Sequence, residues 1–496
     1  MLFQALKDIR WTSLACLCVL GGCTAVGPNY KSPELSSADV PNKWTSRSDV
    51  PAPASVKGAG VKDMPVNWWA ELSDPVLDHM VDKAFASSPT LEAAMAKLNQ
   101  SRSLTGQANA SAGPTVGGSS GVQASGASNS RSFTQSWLSM NSSWEIDLFG
   151  AVRRGREGAL AREAAQAATL ADARVSLAAD VADAYLSYRA CQSYAALSEQ
   201  DVTSREATAR LTEASVKEGF TAPYQAIRST ASVAEARTQL AATRAQCERL
   251  ENQLTRLTGI PRPELMLAMA DKPTGLERLP VPKHFDISIP RDALMQRPDI
   301  RSAERSLAAA SADIGLAEAD RYPRLTLNGD FGFTTNKSGG SGSVSFGSWS
   351  FGPSVSLPIF DGGRRKAAVE LAKSRYDEAL ADYKARIRLA IQEMEDGLTR
   401  YAAAHERAEN ARISGSEYQR FFESVEVRFR EGASNLLELE DARRSMLNAQ
   451  QTYLSVQQER LQAWIALNRA TGGGAHYASA GDPAQRTVAV DAPAPN

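Results

Sequence analysis

The sequence predicts a mainly α-helical protein with a smaller β part, built as a tandem duplication of one helix–strand–strand–long helical hairpin unit. The first observation is that segments with alternating apolar and polar residues pass directly into unusually long helical segments without proline. The second is that this arrangement occurs twice. Pro89 matches Pro298 at an offset of 209 residues, and Gly219 matches Gly432 at 213. The offset changes by only four residues between these two matches, which indicates a tandem duplication.

The clearest junction between strand and helix is Leu357-Pro358-Ile359-Phe360-Asp361-Gly362-Gly363. Before it, Trp349, Phe351 and Val355 alternate with small polar residues, which predicts a strand. After it, apolar residues spaced by four and three predict a helix that packs on other helices. We expect Asp361 to be its N-cap and the helix to continue to Arg430, a length of roughly 100 Å.

These patterns divide the chain into six segments. The predicted segments are a signal peptide (1–22), an N-terminal arm (23–88), repeat 1 (89–259, with strands at about 113–148 and a long hairpin at about 151–257), a Pro-rich linker (260–297), repeat 2 (298–472, with strands at about 323–358 and a long hairpin at about 361–470) and a disordered tail (473–496). In the last strand Val344 and Phe346 are out of phase with Trp349 and Phe351, so we expect a β-bulge or a strand start near Gly347.

Composition excludes several classes of protein. The formal net charge is −1, which gives no support to binding of nucleic acid or of an anionic membrane surface. After the N-terminus no apolar run approaches the roughly 20 residues that a transmembrane helix requires. We therefore expect strands to make any membrane crossing.

The N-terminus has the pattern of a bacterial export signal, with Lys7 and Arg10 before the apolar segment Trp11–Leu20. The signal ends in Leu20-Gly21-Gly22-Cys23, which resembles a lipobox. This resemblance implies cleavage before Cys23, lipidation of its thiol and, with Thr24 in the next position, sorting to the outer membrane. The alternative is an ordinary signal peptide with unrelated cysteines.

Cys191 and Cys247 lie at equal distances, 28 residues, on either side of Gly219, where we expect the first hairpin to turn. In an antiparallel hairpin these two positions face each other, and the exported compartment is oxidising. We predict a Cys191–Cys247 disulfide. The alternative is two separately buried thiols.

We find no pattern that indicates catalysis. The four histidines, His79, His284, His405 and His476, are scattered and have no metal-ligand spacing. No phosphate-binding loop, nucleophile elbow or zinc-protease motif is present. We therefore expect neither an enzyme nor a metal site, and no cofactor other than the covalent lipid on Cys23.

Several motifs together resemble one known family. They are Gly27-Pro28-Asn29-Tyr30 in the arm, Trp68-Trp69, Arg297-Pro298-Asp299-Ile300 and Pro358-Ile359-Phe360-Asp361-Gly362-Gly363. The chain resembles the outer-membrane factors, the TolC-like exit ducts of efflux systems, and within them the NodT-type lipoprotein branch. The resemblance extends over nearly the whole mature chain, to Gly472.

Four strands per protomer cannot close a barrel around a lumen. Open strand edges within hydrocarbon would leave backbone groups unpaired at a cost of several kcal/mol each. A dimer with eight strands and a trimer with twelve would both allow closure, although eight strands leave little room for a duct. The family resemblance implies a homotrimer with a shared 12-stranded outer-membrane barrel and a long periplasmic α-helical barrel.

The resemblance also implies functional residues at the hairpin tips. Glu438 and Asp441 fall where the family carries acidic rings that narrow the periplasmic mouth, and we expect Arg228, with Arg430, to tie neighbouring hairpins together. The alternative for Glu438 is an acid that interacts favourably with a helix N-terminus. The turns Glu218-Gly219 and Glu431-Gly432 resemble the sites that a periplasmic adaptor protein grips, or they are simple glycine C-caps.

The function predicted from these observations is an outer-membrane channel, lipid-anchored and extending into the periplasm. It is the exit duct of a tripartite efflux system with a periplasmic adaptor and an inner-membrane pump. Small molecules pass through it passively. Two other classes of function remain to be compared with it: a lipid-anchored coiled-coil adaptor or scaffold without a pore, and a periplasmic lipoprotein enzyme.

Overall fold

The computed structural model describes residues 25–34, 40–41, 44–45, 67–126, 132–270, 279, 294, 296–338 and 341–473. The predicted signal peptide, the predicted lipidation site Cys23 and the tail after Gly473 lie outside the described residues.

The main elements follow one another in the order that the sequence predicts. A short 3₁₀ helix, Trp68–Leu72, comes before the regular elements. These are α1 (Pro75–Ser87), α2 (Pro89–Ala110), β1 (Thr115–Ser125), β2 (Phe133–Ile146), α3 (Ala151–Lys217), α4 (Pro223–Thr258), α5 (Arg262–Ala270), α6 (Pro298–Ala319), β3 (Arg324–Ser338), β4 (Ser341–Ser356), α7 (Arg364–Arg430) and α8 (Leu436–Ala470).

The duplication is visible in the lengths of corresponding helices. Helices α2 and α6 have 22 residues each. Helices α3 and α7 have 67 residues each, and the return helices α4 and α8 have 36 and 35. At 1.5 Å per residue, 67 residues span roughly 100 Å, the length predicted from the sequence. Each long helix packs antiparallel on its return helix, which gives one long hairpin per repeat. No helix in the described part of the chain is both long and apolar enough to cross a membrane.

The hydrophobic core lies where the arm and the two hairpins meet. Trp68 is almost fully buried and packs edge to face on Trp464 of α8, with ring centroids 5.3 Å apart. Helix α3 also packs against α2, α6 and α8, so it touches both repeats. The arm therefore helps to join the two hairpins through apolar contacts, which contribute by removing aromatic surface from water.

The four strands form one antiparallel sheet in the order β1-β2-β3-β4. The two repeats meet in its centre, where β2 pairs with β3 from Ile146 opposite Leu325 to Phe133 opposite Ser338. Strands β1 and β4 are the edges of the sheet within one protomer. Their outer N–H and C=O groups have no strand partner in the described sheet.

The structure corrects the predicted helix start. Helix α7 begins at Arg364 with Gly363 as its N-cap, so Asp361 is not the N-cap. Asp361 instead accepts hydrogen bonds from the backbone N–H groups of Gly363 and Arg365, at 3.0 and 3.2 Å. Gly362 and Gly363 both have positive φ, 64° and 89°, and this left-handed turn moves the helix start two residues along the chain.

One further expectation is wrong. The ladder between β3 and β4 runs without interruption through Phe333 opposite Gly347, and its register shift lies between Lys337 and Ser338, not near Gly347. In addition, the predicted linker 260–297 begins with a helix, α5, in which Leu265 and Met269 are buried. A proline in the first helical turn, here Pro263, is compatible with a helix because N–H groups there have no intrahelical partner.

Candidate functional site

The tip of each long hairpin is a glycine turn. At the first tip Gly219 has φ 78°, and the N–H of Phe220 donates to the carbonyl of Ser215 at 2.9 Å. At the second, Gly432 has φ 75°, and the N–H of Ala433 donates to the carbonyl of Arg428 at 2.8 Å. Both are glycine C-caps in which the bond spans the last helical turn. Capping accounts for the glycines, and Glu218 and Glu431 are the cap residues just before them.

Exposed apolar side chains lie at the first tip, and the sequence analysis did not single them out. Phe220 is 85% exposed, and Tyr224 and Ile227 of α4 are also largely exposed. Tyr224 and Ile227 are three residues apart and so lie on one side of α4, and Phe220 lies in the turn just before this helix. The spacing of Tyr224 and Ile227 was the signal in the sequence that could have indicated this apolar surface. A cluster of exposed apolar side chains at the end of a long strut is typical of a surface that contacts another protein.

Glu438 is held within the second tip by short-range contacts. Its carboxylate accepts a hydrogen bond from Ser434 Oγ at 2.6 Å and pairs with Arg428 at 3.3 Å. Its backbone N–H donates to the side chain of the N-cap residue Asn435 at 3.0 Å. Glu438 therefore lies in the first turn of α8, where a carboxylate also interacts favourably with the helix dipole.

Asp441 lies one helical turn further along and is exposed, with Arg444 of its own helix 3.8 Å away. Arg228 is exposed on α4 and has no carboxylate within 4 Å in the described part of the protomer. Arg430 pairs with Glu426 of its own helix at 3.0 Å. Within the described part of one protomer neither Arg228 nor Arg430 therefore forms an ion pair with the other hairpin. The expected tie is a prediction about contacts between protomers.

A buried group of charged residues joins the two hairpins just behind the tips. Arg443 of α8 is fully buried and pairs with Glu440. The Arg443 guanidinium also donates to Thr208 Oγ1 of α3 at 2.8 Å. Glu440 in turn lies 3.6 Å from Arg205 of α3, whose Nε donates to Asp201 at 2.9 Å. We call Asp201, Arg205, Glu440 and Arg443 the buried charge cluster.

The buried charge cluster balances two carboxylates with two guanidinium groups. Burial raises the pKa of Asp201 above its ordinary value, and the neighbouring Arg205 opposes this rise. Glu440 lies between Glu438 and Asp441 in the sequence, but its side chain is buried. Charges buried in this way are stabilising only when they remain paired, so both hairpins must keep their relative position.

Further from the tips, a disulfide joins the helices of the first hairpin. Cys191 of α3 and Cys247 of α4 are bonded, and their Cα atoms are 5.6 Å apart. This distance lies within the usual range for disulfides. The structure thus contains the predicted pair rather than two separate thiols.

At the opposite end of the molecule, the arm is held at the strand–helix junction. Arg154, at the start of α3, is buried and donates to the carbonyls of Val26 and Gly27, both at 3.2 Å, and to Asn29 Oδ1 at 2.8 Å. Gly27 approaches α6 so closely that a Cβ atom there would lie 2.4 Å from the Cα of Gly315. The chain is therefore fixed within a few residues of Cys23, beside the sheet.

No group of three or more His, Cys, Asp or Glu side chains in the described residues is arranged to hold a metal ion.

A sheet of four strands joined to two helical hairpins of roughly 100 Å defines a class of protein: a channel that combines outer-membrane strands with a periplasmic helical tube. The family model for outer membrane efflux proteins matches residues 80–260 and 289–473, one match for each repeat. The chain belongs to this family. The family and fold predicted from the sequence are confirmed, and the protein is an efflux channel of the outer membrane.

Known relatives are similar over almost their whole length. Nodulation protein T of Rhizobium leguminosarum bv. trifolii is 29% identical over 483 residues, covering 95% of this chain and 98% of the relative. The toluene efflux pump outer membrane protein TtgC of Pseudomonas putida is 30% identical over 473 residues, covering 92% and 93%. The solved structure of the outer-membrane channel OprN is 29% identical with a TM-score of 0.77, covering 90% of this chain and 99% of OprN.

Proposed function

We propose that this channel works as a homotrimer and is the exit duct of a tripartite efflux system, in which a periplasmic adaptor connects it to an inner-membrane pump. The observation that carries the proposal is the sheet with two free edges, β1 and β4. Strand edges cannot remain unpaired in hydrocarbon, so neighbouring copies have to complete a barrel. Three copies supply twelve strands, enough for a lumen, and twelve long helices beneath them.

Lipidation of Cys23 is part of this proposal. The contacts of Arg154 with Val26, Gly27 and Asn29 support it, because they hold the first described residues of the arm at the strand–helix junction, beside the sheet. An acyl anchor combined with a barrel gives a firm attachment, since each supplies an independent membrane contact.

The periplasmic mouth is closed by the hairpin tips. Asp441 and Glu438 from three copies form acidic rings, and Arg228 pairs with acids of the neighbouring protomer. The exposure of Asp441 and Arg228 supports this, because both side chains are free to meet another copy. Rings of carboxylates repel one another and attract cations, so they set both the resting width and the ion selectivity.

Single-channel recording of the purified protein in a planar bilayer tests duct and gate together. We expect the wild type to form a channel of small conductance, and Glu438→Ala/Asp441→Ala to conduct more and to lose cation preference. The matched control is Glu409→Ala/Glu417→Ala, which removes two exposed acids of α7 away from the tip. Equal conductance of the tip variant and the wild type would exclude the gate. Absence of any channel would exclude the duct.

The adaptor contacts the exposed apolar cluster of the first tip, beside Glu218 and Gly219, and the second tip at Glu431 and Gly432. Truncation of exposed apolar anchors is what weakens protein interfaces most. Phe220→Ser/Ile227→Ser therefore abolishes tolerance to exported compounds in cells while single-channel conductance stays normal. Leu211→Ser, also exposed but on α3 before the tip, is the control. Unchanged tolerance of the tip variant would show that the adaptor does not bind this surface.

The coiled-coil adaptor without a pore does not account for the sheet. Exposed apolar residues such as Phe331, Trp349 and Phe351 lie on it, and a water-soluble scaffold has no use for them.

A further inference from the structure

Near the end of the sheet that is far from the helices, the apolar face becomes polar and the polar face becomes aromatic. Residues directly opposite each other in antiparallel strands project to the same face. The pairs Leu325–Ile146, Leu327–Trp144 and Phe331–Met140 therefore share one face, and Phe331 also pairs with Trp349 of β4. This apolar face is solvent-exposed within one protomer. In a membrane barrel it is the face that meets lipid.

The apolar stretch of this face matches the thickness of the membrane. In β3 it runs from Leu325 to Phe333, nine residues. A tilted transmembrane strand needs about 9 to 11 residues to cross the hydrocarbon. Beyond Phe333 the same face becomes polar and carries Thr335 and Lys337, so the sheet continues past the lipid on its external side.

The opposite face changes in the other direction. Near the helices it is polar: Ser143 donates to Asn328 at 3.0 Å, and Asn328 donates to Ser354 at 2.9 Å. Just past the apolar stretch it becomes aromatic, because Trp137 and Phe346 both pair with Thr334 and lie on this face.

These residues form one row across all four strands: Gly121, Trp137, Thr334 and Phe346. We call it the aromatic row. A Cβ atom on Gly121 would lie 2.3 Å from the Trp137 ring, so the indole lies over Gly121. The ring is thereby directed towards the edge strand β1, the edge that another protomer has to complete.

We propose that three copies of the aromatic row form a hydrophobic collar inside the barrel, at its external mouth. The inference rests on the trimeric duct proposed above. The occupants of the collar are apolar and aromatic solutes, which contact the indole and phenyl rings favourably. Hydrated ions meet a barrier instead, since an apolar constriction does not replace their water. The collar thus favours export of apolar or aromatic molecules over ions of similar size.

Two adjacent threonines provide a matched test, because Thr334 lies in the aromatic row and Thr335 lies on the opposite face. Thr334→Lys places three positive charges in the collar, and we expect the reversal potential in a salt gradient to shift towards anion preference. Thr335→Lys adds the same charge outside the barrel, and we expect no shift. Both are recorded in the wild-type and in the Glu438→Ala/Asp441→Ala background, so that the periplasmic mouth does not mask the effect.

Removal of the rings tests the barrier itself. In the Glu438→Ala/Asp441→Ala background, where the periplasmic mouth does not limit the current, we expect Trp137→Ala/Phe346→Ala to raise ion conductance at least about twofold, as loss of a dewetted constriction predicts. Phe331→Ala, on the lipid face, should leave conductance unchanged. A conducting wild type whose conductance and selectivity are unaffected by the Thr334 and Trp137/Phe346 variants would overturn the collar alone. A wild type that forms no channel would overturn the duct, and the collar with it.

Discussion

Two glycines inside helices would respond differently to an added side chain, because their surroundings differ. A Cβ atom added at Gly155 of α3 would meet no atom within 4 Å. A Cβ atom added at Gly315 of α6 would lie 2.8 to 2.9 Å from the side chain of Arg154, which holds the arm. Gly315 therefore leaves room for the buried guanidinium, whereas Gly155 has no such role.

The same substitution at these two positions should have opposite effects. We expect Gly155→Ala to stabilise the protein by up to about 1 kcal/mol, because alanine favours the helix. We expect Gly315→Ala to destabilise it by about 1 to 3 kcal/mol, since overpacking must displace Arg154. Denaturant unfolding in detergent measures both, and limited proteolysis reports release of the arm. Equal effects of the two substitutions would contradict this account of Gly315.

Glu438 and Glu440 are two residues apart, yet their environments differ. Glu438 pairs with the exposed Arg428, and Glu440 belongs to the buried charge cluster. Neutralising Glu440 leaves Arg443 buried without its carboxylate, so we expect Glu440→Gln to cost about 3 kcal/mol of unfolding free energy. Glu438→Gln should cost no more than about 1 kcal/mol, the value of a surface ion pair. Denaturant titrations of both variants check this. If Glu440→Gln leaves the unfolding free energy unchanged, the cluster does not hold the hairpins together.

Among the elements, the first hairpin carries a covalent bond that the second lacks. The Cys191–Cys247 bond joins α3 to α4 across a sequence separation of 56 residues. A loop of this size restricts the unfolded chain and stabilises the fold by about 4 kcal/mol in the chain-entropy model.

We therefore expect Cys191→Ser/Cys247→Ser to lower the unfolding free energy by up to about 4 kcal/mol. Peptide mapping without reductant should recover the cross-linked pair from the wild type. The control is addition of reductant, which should reduce wild-type stability to that of the variant and leave the variant unchanged. Free thiols at both positions in protein purified from the cell envelope would contradict the bond.

For the whole molecule, the open sheet leads to a prediction about membrane attachment. The sheet exposes an apolar face and two edges, so a shared barrel and not only the acyl chain should hold the protein in the membrane. We expect Cys23→Ser to lose its lipid but to remain trimeric and to require detergent for solubility. Native mass spectrometry measures the lipid mass and the oligomeric state, and sedimentation after removal of detergent measures solubility. A water-soluble monomer would instead favour the anchored scaffold.

Much of the fold could be predicted because its signals are local. The alternation in β3 and β4, the 3–4 spacing in α7 and the repeated Pro and Gly positions depend only on neighbouring residues. The predicted bounds of the strands and long hairpins lie within a few residues of the observed ones, and the two-residue error at Asp361 arose because a second glycine continued the left-handed turn.

What the sequence alone determined is the duplicated architecture and the strand pattern, since periodicity is a property of the chain itself. It also predicted the pairing of Cys191 with Cys247 from their distances along the hairpin, and the structure decided between this bond and two separate thiols. Only the tertiary structure decided that Glu440 is buried, and that Trp137 and Phe346 share a row. Glu440 and its neighbour Ser232 are 208 residues apart in the chain, and the row depends on the register of three strand pairs. Burial and cross-strand neighbours arise from contacts between distant segments, and no short-range pattern encodes them.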